Sequence, residues 1–250
     1  MKYDAQLFTL TKKEEIADGI FDFTVENGAI AQITRPGQFA HILVPGKTLR
    51  RPISVCDVQN DALRLVFEVK GDGTRLLSQT QIGQTLDILA PLGHGFSIEK
   101  TQRTAFIGGG IGVPPMLLSA RQSAHAVAIL GFRSKSQVIL KEDFEAAGCE
   151  TIVTTDDGSF GIHGLVTDVL RRRIDDIDAV CACGPIPMLK AVAALAKEYN
   201  KPCQVSLEER MGCGVGACLV CACKTRTNNK EDFAHVCKDG PVFHAEEVVW

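Results

Sequence analysis

Four cysteines lie within eleven residues near the C-terminus, and their spacing is typical of a metal site. Cys213, Cys218 and Cys221 follow the pattern C-x4-C-x2-C, and Cys237 comes sixteen residues later. Glycines in the same stretch would let the chain curl around a compact inorganic core and direct N–H groups at its sulfur atoms. Four thiolates with this plant-type spacing bind a [2Fe–2S] cluster. The spacing therefore predicts an iron–sulfur site with Cys213, Cys218, Cys221 and Cys237 as its ligands.

Structural zinc is the alternative for these cysteines, because zinc sites built from four cysteines are common. Such sites more often use two separated C-x2–4-C pairs, whereas three of the ligands here lie in one loop. The spacing favours iron and sulfide over zinc. Cys223 lies two residues after Cys221, and only one of the two can complete the loop. We expect Cys223 to be a small side chain packed behind the cluster.

Two glycine-containing stretches could bind a nucleotide. The segment "AFIGGGIGVPPM" (105–116) runs from an apolar strand into glycines and then into a helix that starts with two prolines. Such a turn brings the backbone close to a phosphate and offers it the free N–H groups of a helix start. The match to G-x-G-x-x-G is imperfect, because Val113 replaces the third glycine. The second stretch, "CACGPIPM" (181–188), ends a later strand, at the same edge of a parallel sheet.

The first hundred residues carry a second pair of signals. The segment "RRPISV" (50–55) places Arg51 and Ser54 in one strand, and "GDGTR" (71–75) follows. A guanidinium can hold a pyrophosphate through two hydrogen bonds, a serine hydroxyl can bond a heterocycle, and glycine backbone can contact phosphate. Taken singly, each segment is more often a hairpin or a solvated surface arginine. Together, upstream of the glycine-rich turn, they predict a second nucleotide site.

The elements that must position these residues form two patterns. Short alternating runs separated by turn residues predict an antiparallel barrel; its strands are Ile20–Val25, Gln38–Val44, Arg51–Val58, Ala62–Val69 and Thr85–Leu89. Apolar runs that alternate with helices predict a right-handed, mostly parallel α/β sheet; its strands are Thr104–Ile107, Ala126–Leu130, Glu150–Thr154, Ala179–Cys183 and Cys203–Ser206. We predict an antiparallel barrel (1–99), a nucleotide-binding α/β domain (100–206) and a small [2Fe–2S] module (207–250).

The order of the motifs "RPIS", "GDGT", "GGGIGVPP" and "CGPIPM" resembles that of the ferredoxin-NADP reductase-like flavoenzymes across residues 5 to 205. The resemblance implies an FAD-binding barrel joined to a nicotinamide-binding domain. One departure is Ile53, because the wider family often has an aromatic residue before the serine, so flavin stacking must come from elsewhere or be weaker. The resemblance places the following residues at FAD: Arg51, Pro52, Ile53, Ser54, Val66, Phe67, Glu68, Gly73 and Thr74. It places these at the nicotinamide nucleotide: Gly108, Gly109, Gly110, Gly112, Cys183, Gly184 and Pro185.

The tail, "SLEERMGCGVGACLVCACK" and "HVCKDGPVFHAEEV", is similar to that of the electron transfer subunits of NAD-dependent dihydroorotate dehydrogenase, type B. The resemblance implies an FMN-containing dihydroorotate dehydrogenase catalytic subunit as partner, in a heterotetramer of two and two. It also implies that NAD+ is the acceptor and that this chain has no dihydroorotate site of its own. Because a [2Fe–2S] cluster carries one electron and nicotinamide accepts two, FAD must lie between them. We therefore expect an oxidoreductase subunit that uses FAD, [2Fe–2S] and NAD, without a catalytic acid or base, in pyrimidine biosynthesis.

Composition sets the remaining limits. The formal net charge of −3 and the pI near 6.1 argue against nucleic acid or an anionic membrane surface as a partner. The chain starts without an apolar signal sequence, and its longest apolar stretch, Thr104–Ala120, is interrupted by glycines and prolines. We expect a cytoplasmic protein with reduced cysteines. Two alternatives remain, a flavin subunit of a sulfhydrogenase or ferredoxin-linked transhydrogenase, and a zinc-stabilised nucleotide-binding regulator.

Overall fold

Six antiparallel strands close into a barrel in the N-terminal part of the computed structural model, which describes residues 4–227 and 230–250. The strands are β1 (Gln6–Ala17), β2 (Ile20–Glu26), β3 (Phe39–Leu43), β4 (Arg51–Gln59), β5 (Ala62–Glu68) and β6 (Thr85–Leu92). They close in the order β1-β2-β5-β4-β3-β6, and two short helices, α1 (Gly28–Ile33) and α2 (Asp72–Leu77), lie in the connections. The predicted barrel is confirmed, with β1 as a strand that the periodicity did not indicate.

Strand β3 shows how the barrel divides its side chains. Ala40 and Ile42 belong to the core inside the barrel, whereas Phe39 belongs to the core of the next domain. Successive side chains of a strand point to opposite faces, so His41 lies on the outer face together with Phe39. His41 is nevertheless fully buried, because the C-terminal tail covers this face.

A seven-stranded sheet follows the barrel, in the order β10-β9-β8-β7-β11-β12-β15. Its strands are β7 (Arg103–Gly109), β8 (His125–Phe132), β9 (Glu150–Thr155), β10 (Ile162–His163), β11 (Ala179–Cys183), β12 (Cys203–Ser206) and β15 (Val242–His244). Its helices are α3 (Pro114–Arg121), α4 (Lys141–Ala146), α5 (Val166–Arg173) and α6 (Ile186–Glu198). All of the strand pairs are parallel except β12 with β15. The predicted α/β domain is therefore confirmed, with one antiparallel edge strand.

Two ion-pair groups join the barrel to the α/β domain. Arg64 of β5 pairs with Asp22 of β2 at 2.8 Å and also with Asp143 of α4. Arg121 of α3 pairs with Asp57 of β4 at 3.3 Å. Asp22 and Asp57 are 1% and 0% exposed, so each depends on its arginine for compensation of a buried charge. These pairs fix how the barrel faces the sheet.

The tail packs against the α/β domain and extends its core. Strands β13 (Ala222–Thr227) and β14 (Lys230–His235) pair antiparallel, and β15 adds to the large sheet beside β12. Buried tail residues share one core with the α/β domain; they include Cys221, Val236, Cys237, Phe243 and Ala245. The tail thus places its cysteines against residues of the first two domains. Within 4–227 and 230–250, no helix is long and apolar enough to cross a membrane.

Candidate nucleotide cavity and iron–sulfur site

A cavity of about 860 Å³ lies between the barrel and the carboxyl ends of the parallel strands. Strands of the barrel form one wall, and the glycine turn after β7 together with the tip of β11 forms the other. Most of the residues predicted to bind nucleotides line it: Pro52, Ile53, Ser54, Val66, Phe67, Glu68, Thr74, Gly109, Gly110, Gly112, Cys183, Gly184 and Pro185. The structure therefore brings the two predicted nucleotide sites together in one cavity.

Arg51 and Gly73 lie beside the cavity and contact each other. The Nη1 group of Arg51 donates to the carbonyl oxygens of Leu49 at 2.7 Å and of Arg50 at 3.3 Å. A methyl group added at Gly73 would lie 2.0 Å from Nε of Arg51. Only glycine at position 73 leaves room for the guanidinium, which lies over the start of α2, next to Thr74. A cationic fork over a helix start is a site suited to phosphate.

The glycine turn after β7 is shaped by close backbone contacts. A methyl group at Gly108 would lie 2.6 Å from the Cα atom of Val113, and one at Gly112 would lie 2.4 Å from the carbonyl oxygen of Cys183. Gly108 therefore packs the strand against the start of α3 and does not line the cavity. Gly112 allows the turn to contact the tip of β11. Gly110 has φ +54 and open space around its Cα atom, on the side that faces the cavity.

Cys183 is a neutral thiol at the strand tip. Burial raises its pKa to about 12, against the opposing effect of the Ser206 hydroxyl. A thiol with this pKa is protonated at neutral pH and is a weak nucleophile. Cys181, two residues earlier in β11, is buried in the sheet, as expected for a small apolar side chain. Cys183 thus offers the cavity a small, uncharged surface.

Several lining residues were not indicated by the sequence patterns. Phe39 lies directly opposite Ser54 in the pairing of β3 with β4 and lines the cavity. It is an aromatic side chain near the predicted flavin site, where Ile53 supplies none. Arg133 differs from these residues, because the segment "GFRSK" (131–135) ends its strand with cations and no acidic residue and so already indicates a candidate contact for a 2′-phosphate; it lines the cavity after β8. The other such residues come from α6 (Met188), from the end of β12 (Ser206) and from the tail (Leu207, Glu208, Glu209, Met211 and Pro241).

The four cysteines predicted as ligands meet in two pairs. The N–H of Cys213 donates to Cys218 Sγ at 3.4 Å, and the N–H of Cys237 donates to Cys221 Sγ at 3.5 Å. Among the described residues, no three histidine, cysteine or acidic side chains converge as the ligands of a single ion. A [2Fe–2S] cluster has two irons, each with two protein thiolates. Two adjacent thiol pairs fit that arrangement.

Backbone N–H groups point at the sulfur atoms in the cluster loop, which we define as residues 212–221. The Val215 and Ala217 N–H groups donate to Cys213 Sγ at 3.4 and 3.2 Å, and the Gly216 N–H donates to Cys237 Sγ at 3.1 Å. Burial disfavours the Cys213 thiolate, but these donors outweigh burial and lower its pKa to about 6. Burial next to Cys221 raises the pKa of Cys237. A set of thiolates this close together requires a cation, which iron would supply.

The shape of the cluster loop depends on glycine. Gly214 and Gly216 have φ values of +74° and +80°, in the left-handed region that glycine adopts without strain. This conformation turns successive N–H groups toward the sulfur atoms. The outer end of the loop is exposed to solvent: Leu219 and Val220 are 66% and 56% exposed, and Cys218 is exposed as well. The donor set and its N–H groups therefore fit an iron–sulfur cluster close to the surface.

Cys223 lies apart from the thiol pairs. It is half-buried in β13, opposite Ala234, and packs against the core that contains Cys221 and Cys237. Burial raises the pKa of its thiol. A packing role behind the cluster stays a prediction for this residue.

Comparison with known proteins places this site in a family context. Residues 208–249 match the iron-sulfur cluster binding domain of dihydroorotate dehydrogenase B. A relative from Bacillus caldolyticus is 43% identical, covering 96% of this chain and 97% of its own length. A relative from Caldanaerobacter subterraneus subsp. tengcongensis is 42% identical and covers 94% of each chain. Both are named dihydroorotate dehydrogenase B (NAD(+)), electron transfer subunit.

Solved structures show the same fold. The NADH-dependent reduced ferredoxin-NADP oxidoreductase, studied for flavin-based electron bifurcation, superposes with a TM-score of 0.87 at 32% identity, covering 98% of this chain and 90% of that one. The FAD/NAD-binding domain of the nitric oxide dioxygenase from Vibrio cholerae gives a TM-score of 0.65 at 17% identity. It covers 79% of this chain and 94% of the other, and at that identity only the fold is shared.

Proposed function

This chain belongs to the family of dihydroorotate dehydrogenase B (NAD(+)) electron transfer subunits, and from that premise we propose how it carries electrons between a catalytic partner subunit and NAD+. The proposed donor is an FMN-containing dihydroorotate dehydrogenase subunit, assembled with this chain as a heterotetramer of two and two. The reaction serves pyrimidine biosynthesis. When bound, the [2Fe–2S] cluster relays single electrons, FAD exchanges one electron or two, and NAD+ accepts a hydride.

The chain's own residues bind and orient these groups. Arg51 and Gly73 hold the pyrophosphate of FAD, while Ser54 and Thr74 offer hydroxyls along the same wall. Phe39 and Pro52 border the flavin ring. The glycine turn and the tip of β11, from Cys183 to Pro185, receive the nicotinamide nucleotide. Cys213 and Cys218 hold one iron, and Cys221 and Cys237 hold the other.

The observation that carries the proposal is the shared packing between the two sites. Phe39 lines the nucleotide cavity and belongs to the same buried core as Cys221 and Cys237. Pro241 of the tail lines the cavity as well, and a methyl group at Gly93 would touch both Pro241 and Phe39, at 2.6 and 3.1 Å. Buried, packed side chains thus connect the cysteines to the cavity wall proposed to border the flavin. Such contact excludes water from the space that an electron has to cross.

The partner is proposed to bind at the outer end of the cluster loop. Cys218, Leu219 and Val220 are exposed there, and none of the three lines the cavity. Exposed apolar side chains next to a metal ligand provide a contact surface that a catalytic subunit would cover. Electrons would then enter through the loop and leave through the cavity.

A ferredoxin-linked transhydrogenase subunit is the second candidate. The structural match to the NADH-dependent reduced ferredoxin-NADP oxidoreductase, over 98% of this chain, favours it. The two candidates share cofactors and differ in the partner. NAD+ is the proposed nucleotide in both, although Arg133 after β8 provides a cation that could accept a 2′-phosphate.

Purification of the chain with its native partner tests the proposal. We expect flavin bands and iron–sulfur absorption in the visible spectrum, and co-purification with an FMN protein that reduces NAD+ with dihydroorotate only when this chain is present. A preparation with zinc as its only bound metal and no flavin would contradict the proposal. A partner without FMN, and electron exchange with ferredoxin in place of dihydroorotate, would favour the second candidate.

A further inference from the structure

His41 of β3 has a fully buried imidazole without a hydrogen-bond partner. Its exposure is 0%, and neither Nδ1 nor Nε2 bonds to any residue within 4–227 or 230–250. An imidazole carries at least one N–H, and leaving such a donor unpaired away from water costs free energy. None of the roles proposed above uses this side chain. A buried, unpaired donor at this place indicates a partner that binds with the cofactors.

The imidazole lies against the cluster loop. A methyl group at Gly214 would lie 2.4 Å from Nδ1 of His41 and 3.1 Å from its Cε1. Gly214 directly follows Cys213, the first proposed ligand, and only glycine leaves room for the ring at this position. The Nδ1 edge of the ring therefore faces the loop where the loop begins to surround the metal site.

On its other side His41 belongs to the flavin-binding barrel. It lies opposite Pro52 in the pairing of β3 with β4, and its ring packs edge-on to Phe39, with centroids 6.4 Å apart. Arg50 donates to the backbone oxygen of His41 at 3.3 Å and forms an ion pair with Asp87 at 2.7 Å. The strand and these contacts hold the imidazole in place from the barrel side. His41 thus lies between the wall of the flavin site and the cysteines.

The imidazole is neutral. Burial, with the nearby charges of Arg50 and Arg51, lowers its pKa to about 4. A neutral imidazole has one donor and one acceptor nitrogen, so it can offer a single N–H without placing a buried cation beside the site. Backbone N–H groups of the loop already bond to Cys213 and Cys237, and a further donor would add to the same set.

We infer that His41 is a positioning residue of the cluster site, which donates a ring N–H to a sulfur atom of the bound [2Fe–2S] cluster and holds the cluster loop against the barrel. The inference rests on the proposed function. Hydrogen bonds to its sulfur atoms help to set the reduction potential of an iron–sulfur cluster. A donor stabilises the more negative, reduced state and therefore raises the potential. His41 would in this way couple the barrel to the potential of the cluster.

The test compares His41→Leu, which removes the donor at similar size, with His41→Gln, which retains an N–H donor. His125→Leu, on an exposed histidine of β8, is the control for the loss of a histidine as such. Each full-length chain is purified anaerobically, and its iron, sulfide and FAD contents are measured. The midpoint potential of the cluster is then measured by redox titration with EPR detection, and the FAD potential by its absorbance in the same sample.

We expect a more negative cluster potential in His41→Leu, an unchanged FAD potential, and a value close to wild type in His41→Gln and His125→Leu. Loss of iron in His41→Leu but not in His41→Gln would also support the inference, because the donor would then be needed to hold the loop. A wild-type potential in His41→Leu, or equal effects of Leu and Gln, would overturn it and leave a buried water or simple packing as the role. A wild-type chain without iron would instead overturn the proposed function.

Discussion

The nucleotide cavity is bounded by the ends of regular strands, whereas the cluster loop belongs to a stretch, residues 207–221, that contains no strand or helix. The walls of the cavity rest on buried cores and on ion pairs between two domains. The loop has N–H···S contacts and left-handed glycines in place of regular backbone pairing, Cys221 at its inner end is buried, and its outer end is exposed. We infer that the cavity is formed by the fold itself, while the loop depends on its metal for stability.

Loss of a cluster ligand gives the largest expected effect and separates the two regions. Cys221→Ser should abolish cluster binding, because the second thiol pair loses a member, and should leave FAD bound. The matched control is Cys223→Ser, which should keep the cluster. Iron and sulfide analysis with the visible spectrum measures both. Cluster loss in Cys223→Ser with retention in Cys221→Ser would make Cys223 the ligand and Cys221 the packing residue. Loss of FAD together with iron would show that the cavity and the cluster loop do not bind their cofactors independently.

Breaking an ion pair between the domains tests the other region. Arg64→Ala leaves Asp22 buried without its cation, and removing one partner of a buried pair costs about 3 kcal/mol. Burial opposes the charge of Arg64, but hydrogen bonds to Asp22 and Asp143 raise its pKa. Arg171→Ala removes an exposed pair with Glu198, which water and salt screen, and should cost much less. Urea unfolding of the holoprotein measures both, and equal costs would refute the role of the buried pair.

A methyl group at the edge of the cavity should have a smaller effect. Gly73→Ala pushes the Arg51 guanidinium aside, and we expect FAD affinity to fall by about tenfold, the value of one charge-assisted hydrogen bond. Gly71→Ala is the control. The backbone of Gly71 is extended and the space around its Cα atom is open, so an added methyl group meets no other residue. Alanine is the better helix former, so lower stability of α2 would not explain a loss at position 73. Titration of the apoprotein with FAD measures both, and equal affinities would argue against Arg51 as a pyrophosphate ligand.

Sequence periodicity predicts most of the strands and fails where the pattern is broken. Strand β1 includes the polar run Lys12–Glu15, and its register with β2 shifts twice, after Leu10 and after Glu15. Such bulges interrupt the alternation of apolar and polar residues by which a strand is recognised in a sequence. Strand β15 has three residues and forms only because the tail returns to β12. These elements depend on tertiary contacts that the local sequence does not contain.

The candidate site shows the same limit. The spacing of the cysteines, the glycine turn and "RPIS" indicate chemistry through local pattern alone. Phe39 and His41 carry no such pattern, because an aromatic or a histidine in a strand is ordinarily a core or surface residue. Their importance comes from pairing with β4, 11 to 15 residues away, and from Gly214 in a distant loop. Contacts between residues this far apart in the sequence can be identified only from the folded structure.

The most direct test of electron flow through the cluster loop uses the assembled complex of this chain with the FMN-containing partner proposed for it. Dihydroorotate and NAD+ are added under anaerobic conditions, and NADH formation is measured with wild-type chain and with Cys221→Ser that retains FAD. We predict NADH formation by the wild type and none by the variant, which should still pass electrons from NADH to an artificial dye. NADH formation by the iron-free variant at the wild-type rate would contradict the account.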